Sequence, residues 1–134
     1  MGKLKNKSAW LFPGQASQKI GMGKDAYKST SLGYELFELS NDIMNVDIKN
    51  IIFNGPEEIL KKTQYTQPAL YIVSVIFGKL LIEKGITPKA LAGHSLGEYS
   101  ALCIAESFDF KTGLELVKVR SESMANVGKN EKGS

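Results

Sequence analysis

A single cysteine, Cys103, leaves these 134 residues without an internal disulfide framework, and a reducing compartment is the natural expectation. The one histidine, His94, cannot combine with one cysteine into a zinc-type cluster, so no metal site is expected. Charge of one sign is not concentrated anywhere: seventeen basic and fourteen acidic residues are scattered along the chain and leave a net +3. Without a basic stripe or block, no nucleic-acid partner is expected. The most apolar stretch, from residue 68 to about 84, is interrupted by Ser74, Gly78 and Lys79. It falls short of the roughly 18 to 20 apolar residues that span a bilayer, so a core helix is favoured and no membrane partner is expected. After the basic start Met1-Gly-Lys-Leu-Lys-Asn-Lys7, the apolar segment runs only from residue 9 to 13, too short for a secretory h-region. The expected location is cytoplasmic, or the plastid stroma if a transit peptide has been removed.

What is present is ordinary for one globular domain, with 43% hydrophobic and 23% charged residues and no internal repeat. Ser8-Ala9-Trp10-Leu11-Phe12, closed by Pro13-Gly14, reads as a buried strand ending in a loop. Leu32, Leu36, Leu39 and Ile43 recur at helical spacing between residues 31 and 44, with Glu35 and Glu38 on the outside. Asn54-Gly55-Pro56 marks a turn, and Pro56-Glu57-Glu58 opens a brief helix. Pro68 suits the first turn of the long apolar helix and Gly85 its stop. Residues 89 to 93 form a second strand, residues 96 to about 106 a helix, and Asp109 caps a last helix from 111 to 124. Strands alternating with helices predict an α/β fold, a parallel sheet flanked by helices. An open parallel sheet needs more strands than these to bury both faces, so the core is expected to be incomplete in this chain.

Gly93-His94-Ser95-Leu96-Gly97 fits the G-x-S-x-G elbow, in which a serine sits on a strained strand-to-helix turn and flanking glycines allow close backbone approach. The helix N-terminus beyond it points free N–H groups at an oxyanion formed next to Ser95. His94 is a tempting general base, but neighbours on a sharp turn project in different directions, and a histidine packed beside the elbow is the favoured reading. A Ser-His pair would then draw its imidazole from outside these 134 residues, and the chain alone is expected to be inactive. Cys103, eight positions after Ser95, reads as a small core residue.

Three blocks carry a family resemblance: Phe12-Pro-Gly-Gln-Ala-Ser-Gln18, Tyr65-Thr-Gln-Pro-Ala-Leu70 and Ala92-Gly-His-Ser-Leu-Gly-Glu-Tyr-Ser-Ala-Leu102. In this order they closely resemble the malonyl-CoA:acyl carrier protein transacylases, over residues 8 to about 127. The resemblance implies a hydrolase-like acyltransferase core of which residues 1–134 are the N-terminal part. The family's ferredoxin-like subdomain and catalytic histidine would lie beyond. It implies Ser95 as the nucleophile that takes malonyl from coenzyme A as an ester, for fatty acid synthesis. Gln15, together with the Leu96 N–H, would form the oxyanion hole, although a solvated loop glutamine fits the residues too. Gln67 would line the same cleft or hold the helix start, and His94 would stand beside the substrate.

Arg120 is the only arginine. By the resemblance it matches the residue that holds the free malonyl carboxylate, where a planar fork offers two parallel hydrogen bonds that lysine cannot reproduce. A surface arginine on an amphipathic helix is the bland alternative. The family usually has glycine where this chain has Ala16, which matters if that position needs positive φ. The implied partners are malonyl-CoA, acyl carrier protein and the remaining C-terminal part of the domain. No cofactor is implied, since coenzyme A enters as the thioester substrate. A serine hydrolase of α/β type and a non-catalytic truncated interaction module remain as alternatives.

Overall fold

The computed structural model describes residues 8–133. The basic start of the chain, read above for export signals, lies outside the described residues. Strand β1 (Ala9–Phe12) is followed by helices α1 (Lys24–Ser29), α2 (Ser31–Met44), α3 (Ile48–Asn54), α4 (Glu57–Leu60) and α5 (Thr63–Glu83). Strand β2 (Ala90–Gly93), α6 (Gly97–Ile104) and α7 (Phe110–Gly133) complete the order. The strands pair in parallel, from Ala9 opposite Ala90 to Phe12 opposite Gly93, with the intervening helices as a long crossover. The α/β architecture expected from the sequence is therefore observed.

Period-2 alternation sends Phe12 into the core and turns Ala9, Leu11, Ala90 and Ala92 outward on the other face. Parallel sheets ordinarily bury both faces. Here the buried strand expected at residues 8–12 is not observed: only Phe12 is buried, Leu11 is 79% exposed, and an apolar groove of about 490 Å³ runs along β1 between Trp10, Phe77 and Leu81. The two-stranded sheet is thus covered on one side only, as its small strand count implied.

Helix α5 is the centre of the core and begins five residues before the expected start, so Pro68 lies inside it. Pro68 is the sixth residue of α5, in its second turn, where it leaves the carbonyl of the partly buried Gln64 without its helical N–H partner, and the helix continues through it. At 21 residues α5 is also long enough to cross a bilayer, unlike the shorter apolar run expected. Its residues from Thr66 to Val73 are all buried within the domain, two of them, Thr66 and Gln67, polar. The helix stops as expected: Gly85, at φ +82°, donates to the Ile82 carbonyl at 2.9 Å and Ile86 to the Leu81 carbonyl at 3.0 Å, a Schellman closure.

Two further expectations need correction. In α2 the buried stripe is Gly33, Phe37, Ser40 and Met44, while Leu36, Leu39 and Ile43 are only partly buried. The face is rotated because Phe37 enters an aromatic cluster, 4.9 Å from the Phe53 ring and 5.8 Å from Tyr27, and Gly33 lets α2 press on the Ala26 carbonyl of α1. Helix α7 begins where Asp109 caps it, its carboxylate accepting from the Thr112 N–H at 2.7 Å, but runs nine residues past 124 to Gly133. Gly128 lowers helix propensity there without ending the helix.

Helices α5 and α7 lie antiparallel. Tyr71 stacks on Phe110 at 5.5 Å and donates its hydroxyl to the Phe110 carbonyl at 2.9 Å, whereas Gln67, one turn earlier, meets Arg120 and Met124. Burial pushes the Tyr71 phenol and the Cys103 thiol up from their ordinary pKa values, so both stay protonated at neutral pH. A methyl on Gly113 would run into the Tyr71 hydroxyl and the Phe108 ring. Gly113→Ala is therefore expected to destabilise the chain by about 1–3 kcal/mol despite its better helix propensity. Adding Tyr71→Phe, which alone should cost about 1 kcal/mol, should recover part of that loss. Urea titration of the two single variants and the double variant checks the coupling, and strict additivity would contradict this contact.

Candidate active site

Both strands point their carboxyl ends at the same edge, which is where loops of open parallel sheets present ligand-binding groups. From β1 the chain enters the Pro13-Gly14-Gln15 loop, and from β2 it enters the turn His94-Ser95-Leu96. The turn is held tight by its glycines. A Cβ on Gly93 would collide with the backbone of Gly97, and one on Gly97 with the Phe12 carbonyl. The His94 N–H reaches that same carbonyl at 3.1 Å.

Ser95 occupies the left-handed region at φ +56°, an uncommon conformation for a residue with a Cβ, and its side chain is exposed. Leu96 beside it is only 1% exposed, so the adjacent side chain is driven into the core and anchors the turn. Leu96 also precedes the first residue of α6, where N–H groups have no intrahelical acceptor. Its N–H is thus next to Ser95, as an oxyanion donor must be.

The side chains singled out from the sequence come together here as one hydrogen-bonded series. Arg120 donates from one Nη to Ser95 Oγ at 3.1 Å and from the other to Gln67 Oε1 at 2.6 Å. The Gln67 amide, 1% exposed, donates to Gln15 Oε1 at 3.5 Å and to the Met124 sulfur at 3.3 Å. Gln15 in turn donates to Thr63 Oγ1 at 3.1 Å, which engages one of the two hydrogens of its NH₂ group. His94 stands apart from this series: it is exposed, its ring Nδ1 lies against Gly14, and among the described residues it makes no hydrogen bond to Ser95.

Three participants escaped the sequence reading, namely Thr63, Tyr99 and Met124. Each lies four residues from a residue that was singled out: Thr63 before Gln67, Tyr99 after Ser95, Met124 after Arg120. Thr63 and Met124 share a helical face with Gln67 and Arg120, so for these two the helix boundaries were the missing signal, whereas Tyr99 falls inside the expected helix and is picked out only by the guanidinium that faces it from α7. Starting α5 at 68 left Thr63 off the helix, and ending α7 at 124 left Met124 at its frayed limit.

Chemically, the arrangement offers an exposed hydroxyl on a strained turn, a cation in contact with it, and N–H donors at a helix start. Negative charge developing on or next to Ser95 Oγ would meet favourable electrostatics from two directions. Ala16 adds local strain: its φ is +86°, and its N–H donates to Gln18 Oε1 at 2.8 Å. Replacing it by glycine elsewhere would cost about 0.5–1 kcal/mol of chain entropy, but here the positive φ offsets that. Ala16→Gly is expected to be neutral or stabilising by up to about 1 kcal/mol, and Ala16→Val to be destabilising; chemical denaturation with a loss on Ala16→Gly would contradict a strained loop.

Residues 9–133 match the family described as Acyl transferase domain. A malonyl CoA-acyl carrier protein transacylase from Synechocystis is 49% identical over 120 residues, covering 90% of this chain and 40% of the relative. A polyketide biosynthesis malonyl CoA-acyl carrier protein transacylase from Bacillus subtilis is 44% identical, over 87% of this chain and 40% of its own length. Among solved structures, the crystal structure of a Synechocystis malonyl-CoA:ACP transacylase superposes with a TM-score of 0.86 at 49% identity, over 90% of this chain and 40% of that one. A malonyl-transacylase in complex with a type II polyketide acyl-carrier protein gives 0.84 at 41% identity, again over 90% and 40%. The chain therefore spans about 40% of the length of these relatives.

Proposed function

We propose that this chain, which belongs to the acyl transferase domain family, carries the nucleophile side of a site that moves malonyl from coenzyme A to the phosphopantetheine thiol of an acyl carrier protein. The observation that carries the reading is the contact of 3.1 Å between Arg120 and Ser95 Oγ, a carboxylate-binding group beside an exposed nucleophile. The names of the relatives support the substrate pair.

Ser95 Oγ attacks the thioester carbonyl, forming a C–O bond while its proton passes to a base. The oxyanion is held by the Leu96 N–H and the free hydrogen of the Gln15 amide. Collapse breaks the C–S bond, and coenzyme A leaves as the thiol with that proton. The carrier thiol then attacks the malonyl ester, the C–O bond breaks, and the serine hydroxyl is restored. Arg120 holds the free carboxylate throughout with one hydrogen of each Nη group, the other hydrogens staying with Gln67 and Ser95. Gln67 lines the cleft behind the fork. His94 flanks the elbow and the substrate rather than acting as the base, which is an imidazole from the remaining C-terminal part of the domain. No metal or redox group enters these steps.

Fatty acid synthesis in the cytoplasm is the proposed setting. The Bacillus subtilis relative favours polyketide assembly as a second reading, and the carrier protein accepted distinguishes them. A hydrolase would pass the acyl group to water instead.

With the chain joined to the C-terminal remainder of its domain, malonyl-CoA should add one malonyl group per chain by intact mass. The adduct should survive in water and discharge onto acyl carrier protein. Ser95→Ala should show no adduct. Arg120→Ala should lower the preference for malonyl over acetyl by about a hundredfold, because a carboxylate held away from water would lose its partner. An unchanged preference would refute the clamp, and an adduct on Ser95→Ala would refute the nucleophile.

A further inference from the structure

Arg120 is half-buried, yet among the described residues it makes no ion pair with a carboxylate. The groups that hold it are uncharged: the Gln67 amide at 2.6 Å, the Ser95 hydroxyl at 3.1 Å and the ring of Tyr99, whose centroid lies 5.5 Å from the guanidinium carbon. Two of these sit in the plane of the fork and accept its hydrogen bonds. The third faces the guanidinium from a ring, where a π-system attracts a cation without forming a hydrogen bond. An acidic partner in that place would neutralise the charge and compete with an incoming carboxylate. A ring orients the guanidinium and leaves its N–H groups and its net charge for the ligand.

Tyr99 is well placed for this. It lies in the first turn of α6, four residues after Ser95, so one rigid helix start sets both the nucleophile and the aromatic wall. Its ring is partly buried against the core, which limits its movement. We propose that Tyr99 is the positioning residue for the carboxylate clamp: its aromatic face, not its hydroxyl, aims the Arg120 fork at the acyl carboxylate and thereby sets selectivity for carboxylated acyl groups. This inference rests on the clamp proposed above, and the test separates the two.

The chain has a single arginine, so ¹⁵N labelling of this chain alone, joined to an unlabelled C-terminal remainder, yields one unambiguous Arg Nε–Hε signal. Malonate is the probe and acetate the control. In the parent protein malonate should shift the signal saturably, with acetate far weaker. Tyr99→Phe should bind malonate within about twofold of the parent and Tyr99→Trp as tightly or more tightly, since indole attracts cations best. Tyr99→Leu should weaken malonate about three- to tenfold and move the signal in the free protein, as the ring current is lost. If Tyr99→Leu does not fold, the Phe and Trp variants still decide. Tyr99→Phe binding malonate more than about threefold weaker, or Tyr99→Leu titrating like the parent, would overturn the assignment while leaving the clamp intact. A parent signal indifferent to malonate would overturn the clamp and this inference with it.

Discussion

The site depends on one buried amide. Gln67 is enclosed between α5 and α7, and an amide without hydrogen-bond partners in such a place costs about 1–3 kcal/mol by mutational measures. Its carbonyl is satisfied by Arg120, and its two N–H groups by Gln15 and Met124. Those partners come from the β1 loop and from two adjacent turns of α7, so the amide is fully paired only when the antiparallel helices are in this register. The same register stacks Tyr71 on Phe110 at the other end of the contact. Core packing and the direction of the Arg120 fork are therefore one arrangement, and a slip of α7 along α5 would unpair a buried polar group as it displaced the guanidinium.

The opposite wall of the cleft carries backbone strain. Ser95 and Ala16, one on each loop at the carboxyl edge of the sheet, both have positive φ. The glycine contacts at 93 and 97 leave the elbow no room to relax, and the buried Leu96 side chain pins it from below. The outcome is a hydroxyl held clear of the sheet with a helix start behind it. One wall is thus rigid through backbone geometry, the other through a satisfied polar network, and the exposed serine lies between them.

Much of this was legible in the residues. Several local signals were read correctly: the position of the strand before Pro13, though not its burial, the Gly85 stop, the Asp109 cap and the glycines of the elbow each act on neighbours a few positions away. Pro68 misled because proline is favoured in a first turn yet tolerated just beyond one. The face of α2 was rotated because the choice between Phe37 and the leucines is made by Tyr27 and Phe53, which no periodicity within α2 can report. Gln15, Gln67, Ser95 and Arg120 could be singled out by residue type and family resemblance, but their convergence depends on the α5–α7 register, a long-range property. Tyr99 was missed for the same reason, being ordinary in sequence and acquiring meaning from α7 opposite it, whereas Thr63 and Met124 were lost at the misplaced ends of α5 and α7.

The central claim is that Ser95 and Arg120 hold the two ends of one malonyl group. A crystal structure of the chain joined to the C-terminal part proposed above, trapped after reaction with malonyl-CoA, tests it most directly. The account predicts an ester on Ser95 Oγ whose free carboxylate lies in the plane of the Arg120 guanidinium, hydrogen-bonded to both Nη atoms. An acyl group bound to another residue, or an ester on Ser95 with its carboxylate turned to solvent, would contradict it.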